Sequence, residues 1–108
     1  MTLTWIALIV AGLLEVVWAT AMKQSHGFTR LGPSIVTLVG MIASFALLSW
    51  SMRTLPMGTA YVIWTGIGAV GAFAVGIAFL GEGAGAMRLI AAAMIVGGLI
   101  LMKLTSGS

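Results

Sequence analysis

Four long apolar stretches, separated by short breaks that carry the polar residues, glycines and prolines, run the length of this chain. The first extends from about Thr4 to Met22, and nineteen residues at 1.5 Å each give roughly 28 Å, enough to cross the hydrocarbon core of a bilayer. The second extends from about Pro33 to Met52, the third from about Met57 to Leu80 and the fourth from about Ala86 to Met102. This pattern predicts an all-α membrane protein, a single domain over residues 1–108 with four transmembrane helices and short connections.

The breaks support that division. Lys23–Gly32 holds Lys23, Gln24, Ser25, His26, Gly27 and Arg30, the most polar part of the chain. Gly27 suits a helix end or a turn, and Pro33 suits the first turn of the next helix. Arg53-Thr54-Leu55-Pro56 closes the second stretch. Pro56 stops the helix, and so short a link predicts that the second and third helices are neighbours. Gly81-Glu82-Gly83-Ala84-Gly85 reads as a flexible loop.

Composition sharpens the class. The chain is 61% hydrophobic and 6% charged, against about 25% charged in a typical soluble domain, so it cannot cover a water-facing surface. It has no cysteine, which excludes disulfides and thiolate metal sites. The net charge of +3 comes from singly scattered residues, which argues against a nucleic-acid partner. The first stretch lacks the basic flank of a signal peptide and contains a glutamate.

Four spans put Arg53 and Lys103 on one side, and Lys23, Arg30 and Arg88 on the other. A difference of one charge assigns no orientation by the positive-inside rule. A chain so weakly biased is expected to insert both ways up, so that two oppositely oriented copies pair. Four short helices also barely surround a cavity, and a homodimer encloses a polar path with eight.

The residue that demands an explanation is Glu15, in the middle of the first stretch. An acidic residue at the centre of a spanning helix costs about 2.5–3.5 kcal/mol on insertion scales. No Lys, Arg or His lies at its depth in any stretch, so an ion pair within the chain is excluded. One reading is a protonated, hydrogen-bonded structural carboxyl; the other is a site for a cation or a proton. Protonated, the group cannot hold a cation, and ionised, it can. Proton and cation then compete for it, which is the minimum chemistry for antiport.

Gly12 and Trp18 lie three residues either side of Glu15 and share its helical face. Trp18 reads as a pocket aromatic or as an interfacial belt residue, as Trp5 does at the start of the stretch, and Gly12 as pocket space or a packing contact. Tyr61 and Trp64 share a face of the third helix, where their donors can orient a carboxylate and their rings can hold a cation. A belt role is again the alternative. Ser44, mid-span, either bonds back to the Gly40 carbonyl or partners the carboxylate. His26, Glu82 and Arg88 read as solvated residues in or beside loops.

Trp64, Gly68, Ala72 and Gly76 form a mostly small ridge on the third helix, suited to close packing in lipid, and Gly66-Ile67-Gly68 is a candidate kink. Ala93 and Gly97 give the fourth helix a small-xxx-small pair for association. No nucleophile–base pair, metal-ligand cluster or phosphate loop is present, which speaks against an enzyme.

The lone glutamate of the first helix, the third-helix run GTAYVIWTGIGAVGA (Gly58–Ala72) and GFTRLGPS (Gly27–Ser34) in the first loop resemble the small multidrug resistance (SMR) transporters, over essentially the whole chain. Glu15-Val16-Val17-Trp18-Ala19 and Trp64-Thr65-Gly66-Ile67-Gly68 are similar to the guanidinium-exporter (Gdx, or SugE) subtype rather than to the polyaromatic-drug exporters. The resemblance implies an antiparallel, dual-topology homodimer in the bacterial inner membrane, exchanging protons for guanidinium ion, without a cofactor and driven by the proton gradient. It implies that Glu15 binds substrate and protons in turn. It further implies that Trp18, Ser44, Tyr61 and Trp64 surround and orient Glu15 and that Gly12 keeps the pocket open. Gly66 and Gly68 match a third-helix kink, and Ala93, Gly97 and Gly98 match the dimer contact, although the fourth helix lacks the fuller glycine pattern of some members. Guanylureas and small substituted guanidinium compounds belong to the same substrate class. A broad quaternary-ammonium exporter, a non-transporting membrane subunit and a passive channel are the alternatives.

Overall fold

The computed structural model describes residues 2–105, and they form four α-helices: α1 (Thr2–Gln24), α2 (Leu31–Ser51), α3 (Met57–Phe79) and α4 (Ala86–Thr105). Each is long and apolar enough to cross a membrane. In lipid no water is available to the backbone, so a helix is the form in which each segment satisfies its own N–H and C=O groups. α1 begins and ends two residues beyond the expected span, and α4 continues to Thr105. α2 begins at Leu31, so Pro33 falls in its first turn, where the N–H that proline lacks would have no partner within the helix. Pro56 is extended (φ −57°, ψ 145°), and its carbonyl accepts the Ala60 N–H at 3.0 Å to start α3.

The connections are tighter than their composition suggests. Ser25 is fully buried: its Oγ donates to the Met22 carbonyl (2.7 Å) and accepts the Phe28 N–H (3.0 Å), while its carbonyl accepts the Thr29 N–H (2.9 Å). Around it His26, Gly27 and Phe28 all take positive φ, a left-handed turn that only the glycine adopts without strain. In the third loop the Gly76 carbonyl accepts both the Leu80 N–H (3.1 Å) and the Glu82 N–H (3.0 Å), and Gly81 supplies the positive φ between them. The start of the glycine-rich loop is therefore fixed to α3.

α1 packs against both α2 and α3, and α4 runs along α3, with its Lys103 side chain reaching over Trp5 of α1. The short link predicts that α2 and α3 are neighbours; their backbones approach far less than either approaches α1, and they meet through the Trp64 side chain, which reaches Ser44 and Phe45 on α2. Their linked ends are held instead through α1: the Thr4 and Thr54 hydroxyls bond at 3.0 Å, and Ser51 is buried beside them. The α1–α3 seam is close because it is built from small residues. A methyl group added at Gly12 would sit 2.6 Å from Ile67 Cγ2 and 2.8 Å from its Cβ, and one at Gly71 would strike Val16. Gly68 and Gly76 are buried and Ala72 half-buried along the ridge expected from the sequence. The result is a slab of 43 × 34 × 17 Å in which no residue of α4 is buried.

These contacts separate two glycines of equal helix propensity. Gly12→Ala is expected to destabilise the fold by about 1–3 kcal/mol, because the Ile67 Cβ cannot swing away from it. Gly58→Ala, which meets nothing within 4 Å, is expected to be neutral or to stabilise by about 0.5–1 kcal/mol. Thermal unfolding of the two variants in the same detergent measures the difference.

Candidate functional site

α1 carries Glu15 near its midpoint, and the carboxyl group is laid against α3 at Gly68. The approach is so close that a methyl group at Gly68 would overlap the carboxyl itself and come within 2.7 Å of Glu15 Cγ. Only a residue without a side chain leaves this space. Glu15 is half-buried, and its Oε1 is buried with no hydrogen-bond partner among the described residues. One turn further along the same face, Trp18 Nε1 is also buried and unpartnered. A buried acceptor and a buried donor, one helical turn apart in the chain, thus both lack a partner among the described residues, although buried polar atoms in proteins are nearly always paired.

Ser44 has partners, but neither of those the sequence suggested. Its Oγ donates to the Ala11 carbonyl at 2.7 Å and accepts the Trp64 Nε1–H at 2.9 Å. Ser44 is fully buried and Trp64 nearly so, 0% and 7% exposed. The relay joins α3 to α2 to α1 and ends on the carbonyl one helical turn before Glu15, which in an α-helix also receives the Glu15 N–H. Ser44 therefore holds the backbone that carries the carboxylate, and Trp64 holds Ser44.

The aromatic rings form a row. The Trp18 ring meets Phe45 edge-on at 6.2 Å, Phe45 meets Trp64 at 5.6 Å, and Trp64 stacks on Tyr61 at 5.7 Å with 29° between the rings. Phe45, next to Ser44 on α2, was not singled out from the sequence. Its signal was depth, since it stands mid-span where no belt aromatic belongs. Tyr61 joins the site through this stacking and is itself exposed.

The two glycines of the candidate kink face different neighbours. Gly68 faces Glu15 on α1, and Gly66 faces Leu99 on α4, whose Cγ would lie 3.0 Å from an added methyl group. α3 runs as one uninterrupted helix through both. Ala93, Gly97 and Gly98 lie apart from the carboxylate on exposed α4. Nothing stands within 4 Å of an added methyl group at either glycine, and Gly98 lines a groove of about 480 Å³ between α3 and α4 with Tyr61, Gly66 and Leu99. His26, Glu82 and Arg88 are exposed, with the Arg88 guanidinium 5.2 Å from the Phe73 ring centre and the Glu82 carboxylate folded back against Gly76. No group of three or more potential metal ligands is found among the described residues.

The Ser44 relay can be tested as a unit. Ser44→Ala leaves the buried Trp64 N–H without its acceptor and is expected to destabilise by about 1–3 kcal/mol. Trp64→Phe made in that background is expected to add less than it does alone, with a coupling of about 1 kcal/mol in a double-mutant cycle of unfolding free energies.

Comparison with known proteins places the chain in a family. The model of the family described as Small Multidrug Resistance protein matches residues 3–95. A protein named "Guanidinium exporter" from Citrobacter freundii is 60% identical over 104 residues, covering 96% of this chain and 99% of its own length. The equivalent from Klebsiella oxytoca is likewise 60% identical, and that from Escherichia coli strain K12 is 58% identical, over the same shares of both chains. The family is one of transporters rather than enzymes, and with four membrane-spanning helices the chain is a multi-pass protein of the bacterial inner membrane. By the family model and by these relatives alike, the chain belongs to the Small Multidrug Resistance family.

Proposed function

We propose that this protein exports guanidinium ion in exchange for protons, working as an antiparallel, dual-topology homodimer in which Glu15 is the shared site for both cargoes. The observation that carries this is the buried Glu15 oxygen left without a hydrogen-bond partner. A carboxylate at this depth that the chain itself does not satisfy is a place for something that comes and goes. Relatives named "Guanidinium exporter" at 58–60% identity support the choice of cargo.

Guanidinium is planar, weakly hydrated and permanently charged, and it meets a carboxylate with two parallel N–H donors. The ionised Glu15 takes up the cation. A proton arriving from the other side neutralises the carboxyl, removes that attraction and frees the cargo. The gradient of protons drives the cycle, and no cofactor takes part. Trp18 borders the cation through its ring face. Ser44 and Trp64 act as positioning residues, since they hold the Ala11 carbonyl and with it the turn that carries Glu15. Tyr61 backs Trp64, and Gly12 keeps the α1 face clear of side chains. Gly66 and Gly68 leave α3 free to shift against both α1 and α4, so that the seam opens to one side at a time. The slab leaves one side of Glu15 uncovered, and a second copy closes it, bringing the second Glu15 to the same chamber. The bare stripe of Ala93, Gly97 and Gly98 supplies the helix contact that lipid favours between small residues. Guanylureas and small substituted guanidinium compounds present the same planar headgroup and fall within the expected range.

In proteoliposomes with an imposed proton gradient, guanidinium flux coupled to proton movement is expected, falling to background in Glu15→Gln. Trp18→Ala is expected to weaken guanidinium affinity by about tenfold with folding intact. Transport of bulky quaternary ammonium ions without guanidinium transport would instead assign a broad cation exporter. Guanidinium flux without proton movement would assign a passive channel, and inactivity of the purified chain a non-transporting membrane subunit.

A further inference from the structure

The seam between α1 and α3 that holds Glu15 opens, toward the third loop, into a second polar place. One helical turn on from the Glu15–Gly68 contact stand Ala19 on α1 and Ala72 on α3, and one turn further stand Lys23 and Gly76. A cleft of about 110 Å³ lies there, lined by Ala19, Thr20, Lys23, Ala72, Leu80 and Glu82. Its floor is made of the two alanines, so small side chains alone separate it from the Glu15 turn.

Glu82 is held in place by the fold. Its N–H donates to the Gly76 carbonyl at 3.0 Å, which fixes its backbone to the end of α3. Its carboxylate lies over the Gly76 backbone, where an added methyl group would stand 2.6 Å from Cδ and Oε1 and 2.7 Å from Oε2. Gly68 receives Glu15 in the same way, about 12 Å back along α3. The chain has only two acidic side chains, and both are laid on glycines of one α3 ridge.

The cleft offers acceptors and contains one rival cation. Neither the Glu82 carboxylate nor the Thr20 hydroxyl has a partner among the described residues, and Lys23 lines the α1 wall without an ion pair to Glu82. Lys23, Arg30 and Arg88 make this end of the bundle positive, and Glu82 is the one acidic side chain among its described residues. A cation arriving here meets repulsion everywhere except at this carboxylate.

We propose that Glu82 is an entry carboxylate: guanidinium ion is captured in this cleft by the Glu82 oxygens and the Thr20 hydroxyl, then passes between Ala19 and Ala72 to Glu15. The inference rests on the proposed function and deepens it. Lys23 is the competitor that the cargo displaces from Glu82. The cleft is open to water, so Glu82 acts by raising the local concentration of the cation, an effect that salt screens.

Initial rates of guanidinium uptake against concentration, in proteoliposomes under a fixed proton gradient at low and high ionic strength, test it. At low ionic strength Glu82→Gln is expected to raise KM about fourfold with kcat at the wild-type value, and Lys23→Gln to lower KM about twofold. Thr20→Val, which keeps the shape and removes the hydroxyl, is expected to raise KM about twofold. With about 0.5 M salt the Debye length falls to about 4 Å, and the shifts of the two charge variants are expected to vanish. A wild-type KM in Glu82→Gln or Thr20→Val, a Lys23→Gln shift in the same direction as that of Glu82→Gln, or a charge effect that persists at high salt overturns this inference alone. Absence of guanidinium flux in the wild type overturns the proposed function and this inference with it. Thermal unfolding is expected to match the wild type for Glu82→Gln, whose bond to Gly76 is made by the backbone, and so separates a lost attraction from a lost fold.

Discussion

Everything in this chain is arranged around a carboxyl group pressed against a bare backbone. Glu15 fits beneath α3 only because Gly68 has no side chain there, and the seam on either side is kept close by Gly12 against Ile67 and Gly71 against Val16. In water such a seam would be held by the hydrophobic effect. In lipid the tails are as apolar as the helices, and close packing of small residues replaces that drive. Packing and site thus share one requirement, and the glycines that let α1 and α3 approach are those that make room for the charge-bearing group.

Hydrogen-bonding capacity is divided unequally around that group. Ser44 and Trp64 satisfy one another and the Ala11 carbonyl, binding three helices at the depth of the carboxylate. Glu15 Oε1 and Trp18 Nε1 have no partner among the described residues. A buried polar atom without a partner costs about 1–3 kcal/mol, a large fraction of the stability of a small protein. A chain that secures its serine and leaves its carboxylate open joins a stiff frame to an unsatisfied acid, the combination that the proposed function asks for, because a carboxylate held by its own protein would have to break those bonds before it could hold a passenger.

The sequence made part of this legible, for reasons that can be named. The four segments and Glu15 stand out because lipid imposes simple terms: about twenty apolar residues to cross, and no charge without cause. The ridge Trp64, Gly68, Ala72 and Gly76 is legible because helical spacing is fixed. Which neighbour that ridge meets is not. A short link holds two helix ends together without making the helices pack along their length, and α1 takes the place beside α3 that the link gave to α2. Ser44 illustrates the same limit. Spacing identifies its own Gly40 carbonyl as a partner within the helix, whereas its actual acceptor is 33 residues away in the chain. Depth alone sets Phe45 apart in the sequence, as an aromatic ring in mid-span, and the tertiary row from Trp18 to Tyr61 is what gives it a role.

The two open sides of α4 also follow from local chemistry. No residue of this helix is buried in the single chain, yet its faces are not equivalent. On one, Gly98 borders the groove shared with Tyr61, Gly66 and Leu99, where a helix can approach to backbone distance. On the other, Leu99 and Lys103 line a channel closed by Trp5, where a cation and an unpartnered N–H stand at the end of an aliphatic wall. Bare glycine on one side and a cation laid over a buried ring on the other thus make the two faces of this single helix chemically unlike.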